Sequence, residues 1–251
     1  MPIFCYDHLS RYSNLIHGVF TRAGGISDPP YEHLNTSYSV GDRPDAVSFN
    51  LTAIQKAIRA SHLVFMNQSH SDTVSVLRRY HLCKDWRPPM ADALITDLPH
   101  VAILIKQADC QSVILFDPET RVVANVHCGW RGNVKNILGQ VVHRMNREFG
   151  STPHRMVAAI GPSLGPCCAE FVDFEDYFPD LFREFRVNAN HFDLWAISRY
   201  QLIRAGVPKE NIACAQICTR CRTDLFYSYR GEGTTGRFGT VVMLKPDTGE
   251  N

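Results

Sequence analysis

Apolar positions along the 251-residue chain recur with two periods, one helical and one extended. Val47, Leu51, Ile54 and Ile58 share one helical face behind Asp42-Arg-Pro44, and Pro44 suits a first helical turn. After Gly132, the residues Val134, Ile137, Leu138, Val141, Val142, Met145 and Phe149 repeat at helical spacing, with Gly150 placed to end that helix. Short apolar or alternating runs at 64–66, 73–77, 101–105, 113–116 and 121–126 predict strands. Further on, a strand ends near Ile160, a Gly/Pro turn runs through Pro166, a helix covers about 194–204 and a strand about 213–218. Strands and helices in mixed order predict an α+β fold in layers rather than a regular βαβ winding. No internal repeat, low-complexity run or linker divides the chain, so residues 1–251 read as one domain.

Three polar stretches do not follow from this patterning: Gln68-Ser-His70, Ala108-Asp-Cys110 and His127-Cys-Gly-Trp-Arg131-Gly132. They set one thiol and two imidazoles at the ends of strands, with Asp109 and Arg131 beside them, the residue types that hold a metal or activate a nucleophile. If the hairpin turns symmetrically about Pro118-Glu119, Cys110 faces His127 with Cβ atoms about 4.5 to 5.5 Å apart. His70 must then arrive from another strand end. Each residue also has a plain reading, a small core thiol or a surface imidazole.

Composition narrows the partners. A net charge of +1 gives no general pull toward nucleic acid or an anionic membrane, so the partner is expected to be a small molecule. Neither a signal-peptide pattern nor an apolar stretch long enough to span a bilayer is present. Nine cysteines without a dense secreted-scaffold spacing favour reduced thiols and a cytoplasmic location. Cys167-Cys168 and Cys218-Thr-Arg-Cys221 allow a four-thiolate metal site, but they lack a zinc-ribbon spacing and read as structural turns.

Along most of its length the sequence resembles the YfiH family, also called the laccase-domain or multicopper polyphenol oxidase family. The resemblance rests on His17-Gly-Val-Phe-Thr-Arg-Ala-Gly-Gly25, Leu34-Asn35, Val40-Gly-Asp42, Asn67-Gln-Ser-His70, Ala91-Asp-Ala-Leu94, Ala108-Asp-Cys110, His127-Cys-Gly-Trp-Arg-Gly132, Ile160-Gly-Pro162, Gly165-Pro-Cys-Cys168 and Phe226-Tyr-Ser-Tyr-Arg230, in family order. It implies a layered α/β arrangement around a mixed β-sandwich, related to toxin deamidases that use a Cys/His pair. It also implies phosphorolysis of the purine nucleosides adenosine, inosine, guanosine and methylthioadenosine, with adenosine deaminase activity at the same site. A link to peptidoglycan editing is associated with bacterial relatives.

Residue by residue, His70, Cys110 and His127 match the family's zinc ligands, three protein donors that leave a fourth position open as a catalytic zinc requires. Asp109 stands where it can carry a proton or brace the Cys110 loop. Phosphorolysis also needs cations for phosphate, and Arg22 and Arg131 are assigned to it, with a helix N-terminus after Gly132 in support. Asn35 and Gln68 are expected to hydrogen-bond ribose or base, and Tyr229 or Phe20 to stack on it. The chain departs from the family at Gln111-Ser112, where Leu-Pro is usual, at Cys128 in place of Ala, and at Leu34-Asn-Thr-Ser-Tyr38, where Leu-Asn-Leu-Gly-Tyr is usual. Two further readings stand beside this one. Copper is possible, since two His and one Cys resemble a blue-copper ligand set, although the multicopper His-x-His pattern is absent from the chain. Alternatively, Cys110 deprotonated by His127 is a hydrolase nucleophile.

Overall fold

The computed structural model describes residues 1–82 and 87–246. Its strands are β1 (Ile3–Phe4), β2 (Leu15–Phe20), β3 (His62–Phe65), β4 (Val74–Val76), β5 (Ala93–Thr96), β6 (Val101–Gln107), β7 (Gln111–Asp117), β8 (Val122–Cys128), β9 (Val157–Ile160), β10 (Arg186–Asn188), β11 (His191–Phe192), β12 (Ile212–Cys214) and β13 (Phe238–Leu244). The helices are α1 (Asp7–Ser10), α2 (Pro44–Ala57), α3 (Trp130–Val134), α4 (Ile137–Phe149), α5 (Phe174–Tyr177), α6 (Leu194–Arg204) and α7 (Tyr229–Glu232).

Two mixed sheets form the frame, one ordered β1-β2-β13-β6-β3 and the other β12-β9-β7-β8-β5-β4. Alternate residues of β6 and β13 explain the layering. Ile103, Ile105 and Val242 point inward to meet Ile114, Phe116 and Val123 of the facing sheet. Ala102, Leu104, Val241 and Met243 point outward against Val47, Leu51 and Ile54 of α2. On the far side, Val113, Leu115, Ala124 and Val126 are covered by Leu138, Val141, Val142 and Met145 of α4 and by Leu202 of α6. Each such aliphatic side chain contributes about 1.5 to 3 kcal/mol by leaving water. The α+β layers around a mixed sandwich are therefore as expected. Both sheets are covered on both faces, which is why their central strands read as unbroken apolar runs rather than clean alternation.

Three expectations are corrected. The helix expected to start after Gly132 begins at Trp130 and breaks: α3 ends at Val134, and Asn136 takes a left-handed conformation (φ 53°) while its side chain caps Gly139. Asn tolerates that backbone and caps well, so the apolar period survives the break. The strand expected at 213–218 is short and ends at Cys214. The β7–β8 hairpin closes with Asp117 opposite Val122, leaving a longer turn with Arg121 left-handed (φ 53°) and Asp117 Oδ1 accepting from the Glu119 and Thr120 amides. His127 consequently faces Ser112, not Cys110. A slip of two residues keeps every side chain on its own face, so Cys110 becomes the diagonal neighbour of His127 rather than its direct partner.

Candidate metal and thiol site

Register builds the site. Ala93 pairs with Val126 across β5 and β8, so Asp92 and His127 meet just beyond that pair, and the His127 amide donates to the Asp92 carbonyl at 2.7 Å. Asp92 is fully buried, and its carboxylate gathers a dense set of donors. It accepts from His70 N at 3.0 Å, Ser71 N and Oγ at 2.7 Å, and Ser69 N and Oγ at 3.3 Å. Its Oδ1 also accepts from His127 Nδ1 at 2.8 Å; because a carboxylate only accepts, Nδ1 carries the proton and Nε2 faces the site. Asp92 thus wraps the 69–71 loop around itself and sets two imidazoles at once. Burial alone would push its carboxyl up; bonds from His127 and Ser71 outweigh burial and hold it far below the usual carboxylate range.

His70 Nε2 lies 3.7 Å from Cys110 Sγ, and the His70 and His127 rings meet edge-on with centroids 4.8 Å apart. The donor atoms of His70, Cys110 and His127 all fall within 4.8 Å of one another. One zinc ion in tetrahedral geometry, with Zn–S near 2.3 Å and Zn–N near 2.0 to 2.1 Å, would separate sulfur and nitrogen by about 3.6 Å. The donor set and its spacing fit that ion. His70 and Asp109 both hold left-handed backbone, φ 59° and 84°, a strain of about 1 to 2 kcal/mol for each non-glycine residue. Dense hydrogen bonding around both residues sustains it.

Burial opposes ionisation of Cys110, but the neighbouring His127 and His70 bring its thiol down to about 6. Burial likewise opposes charge on His127, and Cys110 with Asp92 outweigh it, raising the imidazole to about 9. In metal-free protein the pair is therefore a thiolate beside an imidazolium at neutral pH. Alkylation of Cys110 by iodoacetamide should rise through about pH 6 instead of the ordinary thiol range near 8.5, because the thiolate reacts and the thiol does not. His127→Ala should move that midpoint upward by more than one unit; a midpoint unchanged by the substitution counts against the pair.

Cys110 immediately precedes β7, so the β7–β8 register, carried one residue further, sets it opposite Gly129, the residue after Cys128. A Cβ on Gly129 would sit 2.8 Å from Cys110 Sγ and 3.4 Å from His70 Cδ2. Its backbone lies in a region open to any residue (φ −78°), so only space requires glycine. Gly129→Ala should fold with a melting temperature near wild type yet lose metal affinity by about 10- to 100-fold, a loss like that from disturbing a ligand's supporting shell. Unchanged affinity by titration would show that Cys110 has room to move.

Other predicted site residues are placed differently. The carboxylate of Asp109 accepts from Thr219 Oγ1, Ser228 Oγ and the Arg230 amide at 2.6 to 2.7 Å, and its carbonyl accepts from Leu164 N at 2.8 Å. These bonds tie the turn before Cys110 to the 163–169 and 219–230 segments. Arg131 is exposed and lies over its neighbour Trp130, Cζ 4.2 Å from the ring centroid. Arg22 is committed elsewhere, to Glu232 at 2.8 Å, Glu32 at 3.7 Å and the face of Tyr227. Asn35 is fully buried with both amide protons and its oxygen engaged by Ser37, Asp42 and Arg237, leaving nothing for a nucleoside. Gln68 bridges the Lys106 backbone, donating to its carbonyl at 2.7 Å and accepting from its amide at 2.9 Å, which extends the β3–β6 ladder. Phe20 belongs to the core beneath α2, whereas Tyr229 is 62% exposed.

Two residues escaped the sequence reading. Asp92 had one signal, a carboxylate inside the apolar run Ala91 to Thr96. Arg237 had none. Its backbone is clamped by Asn35 Oδ1 and by Thr36, and burial lowers its pKa while the nearby charges of Cys110 and Asp109 favour its cation. The family departures find partners as well. Ser112 donates to Asn125 at 2.8 Å, Gln111 bonds Leu194 O and Ser198 Oγ, and buried Cys128 has a thiol pushed far above the usual range, which makes it inert.

A two-sheet sandwich thus gathers one thiol and two imidazoles at its strand ends into a Cys/His cluster spaced to hold one metal ion. The chain belongs to the YfiH family, described as multi-copper polyphenol oxidoreductase laccase, which matches residues 16–245. It is 32% identical to a purine nucleoside phosphorylase of Bacteroides thetaiotaomicron, over 95% of each chain. It is 34% identical to adenosine deaminase RL5 of an unknown prokaryotic organism, over 77% of this chain and 79% of that one. The crystal structure of YfiH from Bacillus licheniformis superposes with a TM-score of 0.86 at 28% identity, covering 93% of this chain and 94% of that one.

Proposed function

We propose that the protein is a zinc-dependent purine nucleoside phosphorylase with adenosine deaminase activity, acting on adenosine, inosine, guanosine and methylthioadenosine. The carrying observation is the joining of His70, Cys110 and His127 within 4.8 Å of one another, in a chain whose relatives bear both activities in their names. His70 Nε2, Cys110 Sγ and His127 Nε2 would hold the zinc. When bound, that ion supplies Lewis acidity and a more acidic water, the chemistry that removal of an exocyclic amine requires.

The chain's own residues divide the remaining work. Asp92 holds the His127 proton at Nδ1 and so fixes which nitrogen meets the metal. Asp109, with three donors on its carboxylate, acts by bracing the Cys110 turn rather than by carrying a proton. Phosphate is assigned to Arg131, whose guanidinium is exposed, with the half-buried Arg237 beside Cys110 stabilising the charge that develops. Arg22, already paired with two carboxylates, is withdrawn from that role. Tyr229, exposed on α7 with the Arg237 guanidinium 5.8 Å from its ring, is the side chain offered to the base.

Zinc-loaded protein incubated with inosine should release hypoxanthine only when phosphate is present, and adenosine should give inosine without phosphate. Failure with every one of the four nucleosides while metal analysis shows the site filled would overturn the reading. Copper-loaded protein with a phenolic substrate under oxygen tests the oxidase alternative.

A further inference from the structure

Outside the catalytic site, the structure brings together two cysteine pairs that sequence spacing had left apart. Cys167 and Cys168 sit in the turn after Gly165, where the amides of Cys168 and Ala169 both donate to the Gly165 carbonyl at 2.9 Å. Cys218 and Cys221 sit in a second turn, closed by the Arg222 amide donating to Cys218 O at 3.1 Å. A parallel bridge between Ser163 and Cys218 joins the two turns, with Ser163 N on Ile217 O and Thr219 N on Ser163 O, each at 3.1 Å. Gly165 permits the approach, since a Cβ there would lie 3.0 Å from Cys218 Cβ and 2.7 Å from the Trp195 ring.

Cys221 Sγ lies 3.6 Å from both Cys167 Sγ and Cys168 Sγ, and all four sulfurs fall within 4.8 Å of one another. We propose that Cys167, Cys168, Cys218 and Cys221 form a second metal site, a structural four-thiolate site for one zinc ion. Four sulfurs at about 2.3 Å from one ion stand about 3.8 Å apart along the edges of the tetrahedron, which these separations approach. Soft thiolates select zinc over magnesium or calcium, and such short spacings suit one shared ion better than a cluster whose thiolates sit on different irons. With four protein ligands the ion has no open position, so its role is to hold structure.

That role reaches the catalytic site through two bonds. Thr219, between the two cysteines of one turn, donates to Asp109 Oδ1 at 2.7 Å, and Leu164, next to Gly165, donates its amide to Asp109 O at 2.8 Å. Both metal-bearing turns therefore grip the residue before Cys110. The site stands independently of the assigned activity.

The test counts zinc by mass spectrometry in protein purified under reducing, zinc-replete conditions: wild type, Cys110→Ala, and the double variant Cys218→Ser/Cys221→Ser. Wild type should hold about two equivalents, and each variant about one fewer than wild type. If the Cys110 centre binds no zinc, wild type and Cys110→Ala should hold the same single equivalent and the double variant none. A folded double variant retaining the full wild-type zinc content overturns the proposal. Should the double variant fail to fold, the unaltered chain decides: iodoacetamide should leave these four cysteines unmodified until a chelator is added, while exposed Cys5 reports reagent access. Equal alkylation with and without chelator, or a disulfide joining any of the four in freshly purified protein, also overturns it.

Discussion

Replacing Asp92 by asparagine is expected to lower zinc affinity at the proposed His70/Cys110/His127 site by about 100-fold, the upper end of the effect seen when a ligand's supporting carboxylate is lost. The reason is donor accounting. Every group around the Asp92 carboxylate donates: His127 Nδ1, the His70 amide, and the amides and hydroxyls of Ser69 and Ser71. An asparagine amide would aim its own protons at some of them, leaving buried donors unpaired and the His127 ring free to turn. Asp92→Ala removes every acceptor and is expected to cost about 3 to 5 kcal/mol of stability, the range for breaking a buried charge pair. Denaturant unfolding measures the second effect and metal titration the first. Wild-type affinity in Asp92→Asn would show that the 69–71 loop holds His70 unaided. The sign with pH follows from the depressed folded pKa: the carboxylate's contribution is fully present above its unfolded pKa, about 4, and is lost as pH falls through the much lower folded value. Down to mild acidity the site should keep its frame.

Cys110→Ala is the second large effect. The variant should fold with a stability close to wild type, because the thiol is only half-buried and leaves no large cavity. Removing a ligand outright should exceed the 10- to 100-fold cost of disturbing its support, so loss of both metal and nucleoside turnover by about 1,000-fold is expected. This variant also separates the remaining readings. A metal-free thiol hydrolase would lose activity with Cys110→Ala but keep it after chelation. A zinc phosphorylase loses activity both ways and recovers after zinc is returned to the chelated wild type. Retained metal together with retained turnover in Cys110→Ala would place the centre elsewhere.

Much of this was legible along the chain, though unevenly. The α2 and α6 helices and the strands β3, β6, β7, β8 and β9 announce themselves by local period, and Pro44 does mark the first turn of α2. The edge-to-centre order of the sheets does not. β13 lies between β2 and β6, strands separated from it by most of the sequence, and no local pattern states which distant strand will be a partner. The same limit governed the site. Asn35 and Gln68 were legible as polar residues in notable motifs, but polarity alone does not say whether a side chain serves a ligand or a backbone. In the fold Asn35 clamps Arg237 and Gln68 continues a β-ladder. The four cysteines read as structural turns in the sequence because the pairs lack a zinc-ribbon spacing; the Ser163–Cys218 bridge, a pairing of distant segments, makes them neighbours.

Sequence by itself determined the kinds of element and the kinds of chemistry, because helix and strand periods, turn residues and the donor character of thiol and imidazole are properties of short stretches. Only tertiary structure decided which of those groups meet. Asp92 beneath His127, Gly129 making room for Cys110, and Arg237 near the charges of Cys110 and Asp109 are consequences of strand register and of loops packed across the sandwich, which arise from contacts between residues remote in the chain.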